Sequence, residues 1–318
     1  MALSTNQITA ITERFFVPKL VDNVYGSNAW LARLRRDGYA ETFDGGHQIY
    51  APVVSSKPSS GGYFSDYEAI STSPTDNITS AAFDIKQIHE PIKMSRMEEL
   101  KNAGKAAKLK LLASKMMIAE MNIKENLALG LFSDGTAATG ALTTKQLTGI
   151  RAILSTSTTL GGIAVADMAD WVAVVEDNSG TNRALSLNLM QKVDGATAYD
   201  NKKTTVIIAR QNIVDVYWGL AQPFQRLASD EMKKLGFDNV PTFNSKPVLV
   251  DSHHKANAMS FINEDFVKLY VHSAEDMRFQ KVDQIEGQAA TLGRIFWAGN
   301  LVCNGRRYNG ELSDLITS

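Results

Sequence analysis

The sequence predicts an α+β fold in which helix and strand occupy separate stretches of the chain. Three observations carry that reading. A polar excursion lies between two strand-like runs, a single helical period starts at Ser95, and short strands dominate after residue 240. The chain has 318 residues, 44% of them hydrophobic and 21% charged, an ordinary folding composition with room for two domains or one large one with extensions.

The first 45 residues read as an arm with short helical pieces. "ITERFFVPKLVDNVY" has apolar residues at helical spacing and is interrupted by Pro18, and "NAWLARLRRDGYAETFDGG" offers a second short helix ending near Gly38. "GGHQIYAPVV" then reads as a strand leading to the Ser-, Thr-, Asp- and Pro-rich stretch that begins at Gly61. The return strand begins near Ala81. Its apolar residues first share the parity of Phe83 and Ile85, then switch to Ile88, Ile92 and Met94. Such a switch predicts a ribbon that leaves one environment and enters another. An isolated two-stranded ribbon is marginal in water, and one this polar has little to bury, so a partner surface outside the subunit is expected to hold it.

From Ser95 the period becomes helical, with Met97, Leu100, Ala107, Leu111, Ile118 and Met121 at helix-compatible spacings. Ser95 followed by Glu98 is a capping-box signature, and Gly135 supplies a stop. A helix over most of that span would be a rod of about 50 Å. Between Lys93 and Glu125 there are 8 basic and 4 acidic residues, which makes the rod mildly positive.

The middle, 136–203, is mixed. "TTKQLTGIRAIL" reads as strand and turn, while "ADMADWVAVVEDN" and "RALSLNLMQKVDGA" read as two amphipathic helices. "TTVIIA" is a strand and "RQNIVDVYWGLAQPFQRLAS" a helix that Pro223 bends. "SKPVLVD", "AMSFI", "DFVKLYVH" and "MRFQKVD" are further strands. The last long strand places Ile295, Trp297, Leu301 and Cys303 on one parity before Asn-Gly turns. One sheet of late strands around the middle helices is the simplest layout.

The formal net charge of −1 provides no field to gather a polyanion, which argues against a dedicated nucleic-acid reader. The N-terminus lacks the basic and apolar runs of a signal peptide, no apolar run is long enough to span a membrane, and one cysteine excludes an intrachain disulfide framework. Phosphate-loop, dinucleotide and nucleophile-elbow motifs are missing. His89 and Glu90 begin an H-E pair, but Lys93 stands where a zinc-protease pattern needs histidine. Of His47, His89, His253, His254 and His272, only the adjacent pair with Asp251 forms a metal or acid–base candidate, and neighbouring side chains on an extended segment point oppositely, so a surface loop is favoured. Cys303 reads as a buried small hydrophobe with no base beside it. Glu98–Glu99 and Glu264–Asp265 read as ordinary helix or turn residues, and Gly61, Gly62, Gly161 and Gly162 as hinges and turns. No catalytic, cofactor-binding or metal-binding residue is assigned, and the expectation is a protein that is not an enzyme.

The order of parts resembles the major capsid proteins of tailed double-stranded DNA bacteriophages, with the Hong Kong 97-like fold. The matching stretches are "GGHQIYAPVV…SPTDNITSAAFDIKQIHEPIKMS" as extended loop, "RMEELKNAGKAAKLKLLASKMMIAEMNIKENLALGL" as spine helix, and "FNSKPVLVDSHHKANAMSFINEDFVKLYVHSAEDMRFQK" with "GRIFWAGNLVCNGRRYNGELSDL" as later strands. The resemblance implies an arm at 1–45, an extended two-stranded loop at 46–94 and a spine helix at 95–135. The middle of the peripheral and axial domains then takes 136–240, axial strands 241–290 and a C-terminal peripheral strand 291–318.

By the same resemblance the subunit forms hexamers and pentamers that enclose double-stranded DNA, which it contacts non-specifically, inside a virion assembled in the host bacterial cytoplasm. The spine would turn Lys101, Lys105, Lys108, Lys110 and Lys115 toward that DNA. With 45 residues ahead of the loop, a fused scaffolding domain is not expected, so a separate scaffolding protein and a portal are implied, and a decoration protein stays open. No lysine or asparagine sits in a context that predicts a covalent cross-link. No membrane and no cofactor are implied. An encapsulin-like compartment shell is the alternative, with a soluble enzyme and a tail component behind it.

Overall fold

A computed structural model describes residues 29–57, 61–69, 76–101, 111–135, 146–225, 241–282 and 290–316. The first helical piece of the arm, the tract 102–110 that holds Ala107, Lys105, Lys108 and Lys110, and residues 136–145 lie outside these. The described chain opens with helix α1 (Ala29–Arg36), which buries Trp30, Leu31 and Leu34 and stops before Gly38, whose φ of 82° is open to glycine. Strand β1 (Ala40–Phe43) follows.

Strands β2 (Gln48–Val54) and β3 (Ile78–Asp84) pair antiparallel in unbroken register from Gln48↔Asp84 to Val54↔Ile78. One residue later β4 (Lys86–Ser95) leaves this ribbon and pairs over its whole length with the long strand β12 (Ala290–Cys303). The parity switch in the sequence marks that change of partner. The ribbon's root is not held from outside the subunit: Ala51, Val53, Ala81 and Phe83 are buried in the main core, and the amide of Ala82 donates to the Gly161 carbonyl at 2.8 Å. Gly161 has φ 59°, and a Cβ there would stand 2.7 Å from that of Ala81, so glycine serves both the turn and the close approach.

The capping box forms as expected. The Ser95 hydroxyl accepts from the Glu98 amide at 3.2 Å, and the Glu98 carboxylate accepts from the Ser95 amide at 3.0 Å, opening α2 (Arg96–Lys101). Helix α3 (Leu111–Leu131) buries Ala119, Ile123, Leu127 and Leu131 against β4 and β12, a stripe at four-residue spacing. Met97, Leu100 and Ile118 from the expected series are exposed instead. The helix ends four residues before Gly135, which takes φ 75°.

The middle departs from expectation in two places. "GIRAIL" forms helix α4 (Ile150–Leu154), not strand and turn, because Ile150, Ile153 and Leu154 all drop into the core. "ADMADWVAVVEDN" is not a helix. Turns carry it to the buried Trp171, whose Nε1 donates to the Leu160 carbonyl at 3.1 Å, and Val174–Glu176 becomes β5 alongside β13 (Gly310–Leu312). The β-branched Val174 and Val175 fit a strand once a partner is present. Helix α5 (Leu187–Thr197) is as expected, capped by Ser186. So are β6 (Val206–Ala209) and α6 (Gln211–Gln225), which runs two residues past Pro223. Strands β7 (Thr242–Phe243), β8 (Lys246–Val250), β9 (Met259–Ile262), β10 (Val267–His272) and β11 (Arg278–Val282) complete the set.

The strands make two main sheets where one was expected. A five-stranded sheet has β12 as its spine, with β10 and β11 on one side, β4 on the other and β1 beyond β10. A six-stranded sheet runs β5-β13-β9-β6-β8-β7. Their apolar side chains form two cores, the first of which also takes Val206, Ile208 and Ile262 of the six-stranded sheet. Ile295, Trp297, Leu301 and Cys303 line the first with α3, while Met190, Val193, Ile213 and Phe261 fill the second with α5 and α6. Among the described residues no helix is long and apolar enough to cross a membrane.

Candidate assembly surfaces

The sequence elements that promise function are the ribbon and the long helix, so the side chains they leave unburied matter most. Along β2 and β3 alternate residues face the core, which turns Tyr50, Val54 and Ile78 outward at 61%, 68% and 77% exposure. Beyond the last pair, the Ser55 amide donates to the Asn77 carbonyl at 2.8 Å and the Ser56 hydroxyl to the Asn77 side chain at 2.9 Å, holding the ribbon's end shut. Every residue of 61–69 is exposed. Tyr63 and Tyr67 stand out completely and Phe64 is 66% exposed. Sequence reasoning noted the polarity of this tract and missed these rings, although three aromatics in "GGYFSDYEA" were visible. Exposed aromatics on a protruding tip are the composition of a contact surface. Met117, Ile118 and Leu129 add apolar area on the outer face of α3.

The residues considered for chemistry are structural. Asp251 and His254 are buried, not on a surface loop, because the chain between β8 and β9 runs beneath α1 and the end of α3. The Asp251 carboxylate accepts from the amides of Trp30 at 3.4 Å and His253 at 3.1 Å. Burial raises its pKa, opposed by those hydrogen bonds. The His253 ring lies between Asp251, 3.1 Å from Nδ1, and Glu125 of α3, 2.7 Å from Nε2. His254 has a different set of partners, although residues 252–254 form a turn, with the His254 amide donating to the Asp251 carbonyl at 3.4 Å, and not the extended segment expected. Its Nδ1 donates to the Lys255 carbonyl at 3.0 Å, which leaves Nε2 to accept from Ser260 at 2.7 Å. Burial pushes its pKa down to about 4, so the ring is neutral. Among the described residues no group of three or more His, Cys, Asp or Glu side chains is arranged to hold a metal.

Cys303 is fully buried and its pKa is pushed up to about 12 by burial, the state of an inert thiol. Glu264 is no ordinary turn residue. It is buried and takes a two-pronged grip from Arg33 of α1, at 2.8–3.0 Å, with Thr205 on the same carboxylate at 3.0 Å. Lys101 is exposed, whereas Lys115 is tied to Glu98 at 2.9 Å and to the Lys93 carbonyl at 2.9 Å.

Two buried polar anchors were not foreseen. Arg306 donates to the carbonyls of Ala152, Ile153, Ser155, Thr158 and Trp171 and has no carboxylate partner among the described residues. Asn300 accepts from the Thr148 amide at 2.9 Å and donates to the Asp84 carbonyl at 2.8 Å, locking the ribbon's root to β12. Asn300 has no signal in the sequence beyond being polar within an apolar run, and Arg306, inside the polar "CNGRRYNG", has none.

No family model and no curated protein matches the chain. Solved structures do. The capsid asymmetric unit of Cyanophage A-1(L) superposes with a TM-score of 0.77 at 16% identity, covering 98% of this chain and 99% of that one. The capsid of a native GTA particle gives 0.63 at 12%, covering 98% and 100%. The holo-SrpI encapsulin complex from Synechococcus elongatus PCC 7942 gives 0.61 at 9%, covering 100% and 98%. Two of those neighbours are from capsids and one is from an encapsulin complex, and the likeness to them runs end to end. The chain has the Hong Kong 97-like fold.

Proposed function

We propose that the chain is the structural subunit of an icosahedral viral capsid, joining copies of itself in hexamers and pentamers around double-stranded DNA. The observation that carries this is a ribbon tip that leaves Tyr63 and Tyr67 fully exposed and Phe64 largely so, on a fold matched end to end by capsid subunits. In this reading 1–45 is the arm, 46–94 the extended loop that overlies a neighbour, 95–135 the spine, and the two sheets form the cores of the peripheral and axial domains. Many weak contacts repeated over a closed symmetric object give a stable shell. A separate scaffolding protein and a portal are its partners, with assembly in the host bacterial cytoplasm and non-specific contact to the packaged DNA.

The encapsulin match supports a second reading, a compartment shell that encloses protein. Negative-stain electron microscopy with light scattering after size exclusion tests the shared claim. Closed shells, tubes or five- and six-fold rings are expected. A uniform monomer or dimer that stays so under low salt and crowding would overturn both readings. Nucleic acid inside recovered shells selects the first, and a bound cargo peptide the second.

A further inference from the structure

The exposed face of the five-stranded sheet opposite α3 is basic. Its composition follows from the register. Arg278 of β11, Phe296 of β12 and His89 of β4 lie in one cross-strand row, and Gln280, Arg294 and Pro91 lie in the next. Lys93 follows on the same parity of β4. His89, Lys93, Arg278 and Arg294 are exposed, and the His89 ring lies 6.3 Å from that of Phe296. Among the described residues only Arg278 of these cations has a carboxylate neighbour, Glu275 at 2.9 Å. The opposite parity, Ile92, Ile295 and Trp297, is core.

The ribbon tip has the complementary chemistry. Between Gly61 and Ala69 it carries Tyr63, Phe64 and Tyr67 together with Asp66 and Glu68, and no Lys or Arg. Seven paired residues carry that tip about 23 Å from its root, and Tyr63 and Tyr67 reach nothing in their own chain.

We propose that the acidic, aromatic tip of one copy docks on the basic face formed by His89, Lys93, Arg278, Arg294 and Phe296 of a second copy. The inference rests on the shell reading and names the surface its ribbon meets. Asp66 and Glu68 face a cluster in which, among the described residues, Lys93 and Arg294 have no carboxylate neighbour, and the tyrosine rings lie against Phe296 and the flat arginine side chains, pairings enriched at interface centres. Donor and acceptor are different surfaces, so the contact is head-to-tail and generates rings.

The test is made on full-length protein. Tyr67→Cys with His89→Cys introduces one thiol on each surface, while native Cys303 is buried and inert. Oxidation of assembled material should give a ladder of covalent oligomers that neither single variant gives. Asp66→Lys with Glu68→Lys should abolish assembly, Lys93→Glu with Arg294→Glu should do the same, and the four changes together should restore it. Circular dichroism of each variant shows that these exposed substitutions leave the fold intact. Particles without the ladder, or particles undiminished by tip reversal, overturn the docking and leave the shell reading standing. Failure of the unmodified protein to assemble at all overturns the shell reading itself. If reversing Lys93 and Arg294 depletes bound nucleic acid while the ladder is unchanged, the face serves a polyanion and the docking is wrong.

Discussion

The guanidinium of Arg306 donates from Nε to the carbonyl oxygen of Ile153 at 2.8 Å, at the C-terminal end of α4. Four further carbonyls, from Ala152, Ser155, Thr158 and Trp171, complete a cage around a cation that has no counter-ion among the described residues. The bonds to Ala152, Ile153 and Trp171 are buried, so water is not available there to take the place of the guanidinium. The residue that organises 150–171 is thus contributed by the short helical turn Arg306–Tyr308.

Replacing Arg306 with Met should therefore cost on the order of 3–5 kcal/mol, because several buried acceptors lose their donor at once. Arg306→Lys retains the charge but not the planar fork and should recover only part of the loss. Urea unfolding followed by tryptophan fluorescence reads both, since Trp171 lies at the site.

Asp194 and Lys246 form a buried ion pair, with Thr204 at 2.9 Å and Asn244 at 3.0 Å completing the carboxylate's shell. Burial pushes the Asp194 pKa up, but Lys246 and the other donors outweigh it and hold the group below its usual range. Asp194→Ala strands a buried ammonium and should cost about 3–5 kcal/mol, while Asp194→Ala with Lys246→Met should cost much less. A double-mutant cycle on thermal unfolding checks the sign of the coupling.

His254 makes stability fall on acidification. Its folded pKa, about 4, lies below the unfolded value of 6.5, so the neutral ring's contribution is fully present above 6.5. It is lost as pH drops from 6.5 to about 4, where the unfolded chain takes up a proton that the folded chain refuses, and it levels off below that. The difference across the window is on the order of 3 kcal/mol. His254→Gln should flatten that part of the stability curve relative to the unmodified protein, measured by urea midpoints at successive pH values.

Gly161→Ala should loosen the ribbon without unfolding the sheets. The new Cβ meets that of Ala81 at 2.7 Å in a backbone held at φ 59°, and relief requires the ribbon's root to lift. A cost of about 1–2 kcal/mol is expected. Hydrogen exchange should quicken at Ala82, whose amide bonds Gly161, more than at the β6–β9 ladder.

Serine at Tyr63, Phe64 and Tyr67 together should leave subunit stability within about 0.5 kcal/mol, as expected for surface changes, while removing assembled particles from micrographs. Unchanged particle yield would show that the tip plays no part in assembly.

The legible parts of this chain were those whose cause is local. Ser95 and Glu98 announce their helix because both halves of the cap lie within one turn. The alternation of Ile295, Trp297, Leu301 and Cys303 needs only one strand to be seen. The parity switch after Ile85 correctly signalled a change of partner, though not which strand received it. What stayed hidden depends on distant partners. "ADMADWVAVVEDN" has helical spacing, and only β13, far along the chain, makes a strand of its end. "VDSHHKAN" reads as a polar loop because nothing nearby shows that Trp30, 221 residues from Asp251, and Glu125, 128 from His253, close over it. Of the candidate surface, the tip's rings were readable from three aromatics in a short polar tract. The basic face was not, since its members are scattered from His89 to Phe296 and meet only through register.

Ile85 alone separates β3 from β4, so the ribbon continues directly into a ten-pair ladder with β12. Its hydrogen bonds lie perpendicular to the strands. Tension drawn through the tip along that axis loads all of them in shear at once, where a pull across the sheet would peel them one after another. The strand that leaves the ribbon is thus also the subunit's anchor cable, resisting a pull along its length with ten pairs together.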